Sequence, residues 1–182
     1  MRCLRLGFIL LLVAQLGACG FHLRGQSSAG AESQGDYPAV LVQHNHSDNV
    51  LRRLVNQQFS MLGISHSEVT GNRAELLGLR VSDIARGDTV LSLDADARTA
   101  ERLLMLTAKL SLLQADGVVL ESATLQEQRI LFTNPNNPVG NSTEQALLVS
   151  EMENAMAQRI ATQASRWLDR EQANAAASGS TR

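Results

Sequence analysis

Hydrophobic and polar positions alternate with changing period along this chain, and the changes mark the elements. "AVLVQ", Ala39 to Gln43, is a short β-branched apolar run suited to a buried strand. In "SDNVLRRLVNQQFSMLG", Ser47 or Asp48 can cap a helix. Leu51, Leu54, Val55, Phe59 and Leu62 then recur at helical spacing, and Gly63 fits the left-handed position just past the end. "AELLGLRVSDIARG" alternates, with Leu77, Leu79 and Val81 on one face and Gly78, Arg80 and Ser82 on the other, as in a half-buried strand. "DTVLSLDADART" reads as an extended hairpin tip. "AERLLMLTAKLSLLQ" is a long strand with Leu104, Leu106, Ala108, Leu110 and Leu112 on one face and Leu103, Met105, Thr107, Lys109 and Ser111 on the other. "ADG", Ala115 to Gly117, is a turn, because Asp-Gly tolerates positive φ at both central positions. "VVLESATLQEQRILF" is the return strand. After the break "TNPNNPVGN", Ser142 and Gln145 form a capping box ahead of a long helix from about Thr143 to Asp169. Its stripe is Leu148, Met152, Met156, Ile160, Ala164 and Trp167, the face expected to pack on the sheet. Strand, helix, three meandering strands and helix make an α+β two-layer sandwich, with two helices on one face of a four-stranded, mostly antiparallel sheet.

The flanks obey other patterns. Residues 1–18 carry Arg2 and Arg5, an apolar run from Leu6 to about Leu16, and the small residues Gly17 and Ala18, as in a secretory signal peptide that is removed. The run is too short to cross a membrane, which takes about 20 apolar residues. Leu16-Gly17-Ala18-Cys19 resembles a bacterial lipobox, which makes Cys19 the lipidation site. Several acyl chains on one cysteine anchor stably, since each buried CH2 contributes about 0.8 kcal/mol. Residues 19–38 then form the lipidated N-terminus and a Gly/Ser-rich flexible lead-in, residues 39–170 a single sandwich domain, and residues 171–182 a small, polar, disordered tail.

Composition narrows the function classes. The chain has 182 residues and a formal charge of -2, which argues against nucleic acid as a partner. Aromatic residues are 3%, too few for stacking platforms. Of the two cysteines, Cys3 leaves with the signal peptide and Cys19 is acylated, so no thiol remains for redox or metal chemistry. His44 and His46 in "QHNHS" are two apart, but no second cluster of Asp, Glu or Cys completes a metal or nuclease site, and a polar strand-to-helix loop is the simpler reading. Asp94 and Asp96 in "DADAR" read as a solvated turn. No nucleophile elbow or phosphate loop occurs, so neither an enzymatic activity nor a cofactor is expected. "LESATLQEQR" keeps two readings open: a solvent-facing sheet, or a surface packed inside a wet cavity such as the polar lumen of an outer-membrane barrel.

"CGFHLRG", Cys19 to Gly25, resembles the mature start of the LptE family of lipopolysaccharide-assembly lipoproteins. "TAERLLML", Thr99 to Leu106, is similar to the start of that family's central strand. "FTNPNNPVGNSTEQALLVSEM", Phe132 to Met152, is similar to its N-P loop and capped C-terminal helix. The resemblance implies a non-enzymatic protein of the same two-helix, four-strand sandwich, lipid-anchored on the periplasmic side of the outer membrane. It implies a plug within the LptD barrel, helping that barrel assemble and lipopolysaccharide reach the outer leaflet. Gly20 after Cys19, where Asp would resemble an inner-membrane retention signal, agrees with the outer membrane. Some members bind lipopolysaccharide through basic residues near the hairpin tip and the N-P loop. Here Asn134 to Ser142 holds no Lys or Arg and the tip is acidic, so the candidate contacts are Arg98, then Arg86 and Arg102. The alternative is a free-standing binding or scaffold lipoprotein facing the periplasm, which calls for a sizeable apolar pocket.

Overall fold

The computed structural model describes Tyr37, residues 39–67 and residues 76–179. Cys19, the signal peptide, the "CGFHLRG" stretch and all of the lead-in but Tyr37 lie outside the described residues. Five strands form one sheet: β1 (Val40–His44), β2 (His66–Ser67), β3 (Gly78–Leu93), β4 (Thr99–Leu113) and β5 (Val119–Phe132), in the order β2-β1-β3-β4-β5. Among the described residues two helices accompany them, α1 (Asn49–Met61) and α2 (Pro138–Gly179).

The α+β class and the two helices agree with the sequence reading, and the sheet corrects it. β1 pairs in parallel with both β2 and β3, while β3–β4 and β4–β5 are antiparallel, so the sheet is mixed and has five strands. β2 has two residues, too few to show a period, and it exists because the chain leaving α1 returns alongside β1.

Local chemistry explains where α1 starts and stops. Asp48 is the N-cap, its Oδ1 accepting from the amides of Val50 and Leu51 at 3.1 and 3.0 Å. At the other end Gly63 has φ 70°. Ile64 N–H donates to Phe59 O and Gly63 N–H to Ser60 O, a Schellman closure sealed by the buried pair Phe59 and Ile64. Leu51, Val55 and Phe59 are buried as their spacing demands, but Leu62 terminates the helix and is exposed.

α2 is longer than its stripe suggested. Pro138 takes the first helical position, where its missing N–H costs nothing, and Asn137 caps by accepting from Gly140 N–H at 3.0 Å. A Cβ on Gly140 would fall 2.3 Å from the Asn137 amide nitrogen, so this cap needs glycine. Ser142 therefore lies inside the helix, its hydroxyl donating to Val139 O, and the capping box with Gln145 does not form. At the far end the helix continues through Gly179, across residues expected to be a disordered tail. Ala-rich sequence supports a helix without packing because alanine has the highest intrinsic propensity.

Both antiparallel hairpins turn the same way. Ala115-Asp116-Gly117 closes with Gly117 N–H on Gln114 O and φ 87° at Gly117 alone, a type I turn with a glycine bulge rather than a two-residue turn. Ala95-Asp96-Ala97 repeats the geometry with Ala97 at φ 60°.

The core lies between one sheet face and the helices. Leu104, Leu106, Ala108, Leu110 and Leu112 of β4 meet Met152, Met156, Ile160, Ala164 and Trp167 of α2, joined by Ala157, Ala161 and Leu168. Leu79 and Val81 of β3 lie on the same face, as their alternation requires. A β-bulge then intervenes: Ser82 pairs with Lys109 and Ala85 with Thr107, so Asp83 and Ile84 oppose Ala108 alone. Asp83 sits there at φ 52°, a conformation Asp adopts more readily than most residues. Beyond the bulge the parity of β3 is reversed, and Arg86 and Asp88 face the helices.

Candidate functional site

The reversed stretch of β3 brings Arg86 and Asp88 to one corner with Arg102 of β4, between the outer half of the β3–β4 hairpin and α2. Arg86 reaches two carboxylates, Asp48 at the α1 N-cap and Glu153 on α2, the latter at 2.7 Å. Burial by itself would raise the Asp48 pKa. The hydrogen bonds from Leu51 N–H, the Arg86 guanidinium and Val50 N–H outweigh it and hold the carboxyl below its ordinary value. Arg102, on β4, forks onto Asp88 and also donates to Gln145 of α2 at 3.3 Å. Arg86, Asp88 and Gln145 rim a cavity of about 170 Å³ whose apolar lining includes Leu104, Leu106 and Met152.

Arg98 is not part of this corner. It lies in the β3–β4 turn, donating through Nε to Asp94 at 3.0 Å and through Nη2 to Asp96 at 2.7 Å. Asp94 also accepts from the backbone amides of Arg98 and Asp96, and the Arg98 amide is the foremost cause of its lowered pKa. The single guanidinium of Arg98 thus bridges both carboxylates of the "DADAR" turn and offsets half of their charge. The same end of the sheet exposes Val90, Leu91, Leu93, Ile130 and Phe132.

The sequence reading found the arginines but not their partners. Asp48 was visible as a cap. Asp88, Gln145 and Glu153 had no local signal, because only the bulge and the helix placement bring them within reach.

The second candidate surface is the face of the sheet without helices. The pairings Lys109–Thr124, Thr107–Gln126 and Met105–Gln128 put these residues on one side, continued by Ser111 opposite Ser122 and by Leu103 opposite Ile130. Every even-numbered β5 residue from Leu120 to Phe132 is exposed. The odd-numbered carboxylates face the helices and are paired: Glu121 with Arg170, Glu127 with Arg159 at 2.8 Å and with Arg129 at 3.5 Å. "LESATLQEQR" therefore separates into a charged, neutralised face under α2 and a neutral amide and hydroxyl face outside. The outer edge of β5 is partly stopped as well, since Arg159 donates to Gln126 O and Arg129 to Gln128 O.

Among the described residues no group of three or more His, Cys, Asp or Glu is placed to hold a metal ion, and no helix is long and apolar enough to cross a membrane.

Comparison with known proteins gives a consistent picture. The sequence model of the family described as LptE, lipopolysaccharide-assembly, matches residues 37–164. The chain is similar to the LPS-assembly lipoprotein LptE of Photorhabdus laumondii, 28% identical over 160 residues, covering 88% of this chain and 82% of the relative. It is also similar to the LPS-assembly lipoprotein LptE of Pectobacterium atrosepticum, 26% identical over 155 residues, with 85% and 79% covered. Among solved structures the fold is similar to rare lipoprotein B from Shewanella oneidensis, with a TM-score of 0.62 at 21% identity, covering 74% of this chain and 99% of that one. Lipoprotein B from Nitrosomonas europaea gives a TM-score of 0.63 at 19% identity, with 73% and 85% covered.

Proposed function

The chain belongs to the LptE family of lipopolysaccharide-assembly proteins, and on that premise we propose that it acts without catalysis as an outer-membrane lipoprotein that fills the LptD barrel and supports lipopolysaccharide delivery to the outer leaflet. The observation that carries the plug reading is the helix-free sheet face. It is broad, exposed along β5, and at its centre built of Thr107, Ser122, Thr124, Gln126 and Gln128, with Lys109 beside them. Neutral hydrogen-bonding groups of this kind match a barrel interior, which is polar and wet. A face made to meet lipid tails would be apolar along its middle as well.

Cys19, acylated after removal of residues 1–18, would hold the sandwich at the periplasmic side of the membrane. Direct lipopolysaccharide contact fits the tip end best, where Arg98 and Arg102 neighbour exposed apolar side chains. A lipid phosphate there competes with Asp94, Asp96 and Asp88 for the guanidinium groups, so the contact depends on exchanging one anion for another. Arg86 is tied to two other elements, through Asp48 at the α1 N-cap and Glu153 on α2, rather than to the tip. The free-standing carrier reading calls for a sizeable apolar pocket, and the cavity beside Arg86, about 170 Å³, is below the ~300–1,000 Å³ usual for ligand pockets.

One preparation tests the proposal. The tagged full-length chain, extracted from outer membranes, should bring down a large barrel protein in near-equal amount, and mass spectrometry should find Cys19 acylated at the new N-terminus. Recovery of the lipoprotein alone sinks the plug, and an unmodified Cys19 sinks the anchor.

A further inference from the structure

His44 ends β1 and His46 lies in the loop to α1. Their rings meet edge to face, with centroids 5.2 Å apart, and His44 Nδ1 stands 3.2 Å from His46 Nε2. The contacts around them determine where the protons are. The Asp48 backbone N–H can only donate, and it points at His46 Nδ1 from 3.1 Å, so that nitrogen carries a lone pair. A neutral His46 then has its proton on Nε2 and donates to His44 Nδ1. His44 in turn has its proton on Nε2, which is 3.0 Å from Asn56 Oδ1 on α1. The result is a one-way relay from the Asp48 amide through both rings to Asn56, and it is complete only when both imidazoles are neutral.

We propose that this pair is a proton-sensitive latch: neutral, it locks the β1–α1 corner, and a proton on either ring opens it. A proton on His46 Nδ1 sets donor against donor at the Asp48 amide. A proton on His44 Nδ1 does the same at His46 Nε2. The charged groups facing His46 are Asp48 in the loop, Arg52 on α1 and Arg86 on β3, with Glu153 on α2 behind Arg86. Two of the three immediate neighbours are cations. Burial, first, and then His44 push the His46 pKa below its ordinary value, with Arg52 and Arg86 adding to this against the opposing Asp48.

The consequence reaches beyond the loop because Asp48 has two further duties. Its carboxylate caps α1 and anchors Arg86, and Arg86 ties β3 to Glu153 of α2. A protonated His46 seeks the anion nearest to it, which is Asp48, and competes with Arg86 for it. One proton is thereby converted into a loosened joint between α1, the hairpin and α2. Since the folded pKa lies below the unfolded value, the latch contributes fully above about pH 6.5 and weakens as pH falls through that value and below. His46 alone can lower the ratio of latched to open forms by up to about tenfold per pH unit in that window.

NMR titration of the intact chain from pH 8 to pH 5 decides this. The His46 Cε1 resonance should titrate with a midpoint below pH 6.5, and the Asp48 amide and the Arg86 guanidinium signals should move in step with it. In His46→Gln the Asp48 amide should stay still over the same range. A His46 midpoint at or above pH 6.5, an Asp48 amide that ignores the titration, or the same movement in His46→Gln overturns the latch. If His46→Gln does not fold, the titration of the unaltered chain still separates the outcomes, because the latch requires the Arg86 guanidinium, which is held by Asp48 and Glu153, to move with the His46 ring.

Discussion

The two faces of the sheet are built by the same strands and the same alternation, yet they hold opposite chemistry. Under the helices, each β5 carboxylate and each of Arg86 and Arg102 has an oppositely charged partner, and the aliphatic residues of β4 are buried. Outside, the middle of β4 and β5 offers Thr, Ser, Gln and one Lys, and β5 is exposed along its length. The ion pairs between helix and sheet are thus on the covered face, and the middle of β5 on the open face carries no charge. Desolvating unpaired charge costs several kcal/mol per ion, whereas amides and hydroxyls exchange water for a polar wall at little net cost.

Substitutions on each face sharpen the contrast. The largest effect belongs to Leu110→Ala, which opens a cavity in the middle of the covered face. It should cost about 2–5 kcal/mol in urea unfolding, and a loss under about 1 kcal/mol would mean that the helices do not cover this face as described. Next comes Glu127→Gln, which takes the charge from a nearly buried carboxylate between Arg159 and Arg129. A cost of about 1 kcal/mol, halved or more by high salt, is expected, and a salt-insensitive loss would show that packing rather than charge is at stake. The smallest change in stability should follow Gln126→Glu on the open face, within about 0.5 kcal/mol. That variant should nonetheless recover clearly less of the barrel from outer membranes, because it buries a charge at the proposed contact. Undiminished recovery would remove this face from the interface.

Periodicity made most of the sandwich legible. The Leu51, Val55, Phe59 stripe, the alternation of β4 and the Met152-to-Trp167 stripe are one-dimensional records of what each element buries, so they survive without knowledge of the fold. Signals carried by one or two residues did not survive. β2 is too short to have a period. The Ser142–Gln145 pair has the letters of a capping box but lost to Asn137 and Pro138, which start the same helix more than a turn earlier. The candidate arginines were legible as cations near the tip but not as members of ion pairs, because their partners are between 2 and 67 residues away in sequence.

The sequence by itself determined most of the elements, the buried stripes and the resemblance to the LptE family. Tertiary structure decided which way the middle of the molecule faces. A single extra residue at the Asp83 bulge reverses the parity of β3, and with it Arg86 and Asp88 turn from the open face to the helices. Strand alternation has a period of two, so one inserted residue exchanges the faces of everything after it, and no local pattern in "VSDIARGD" announces which residue the sheet will leave out of register.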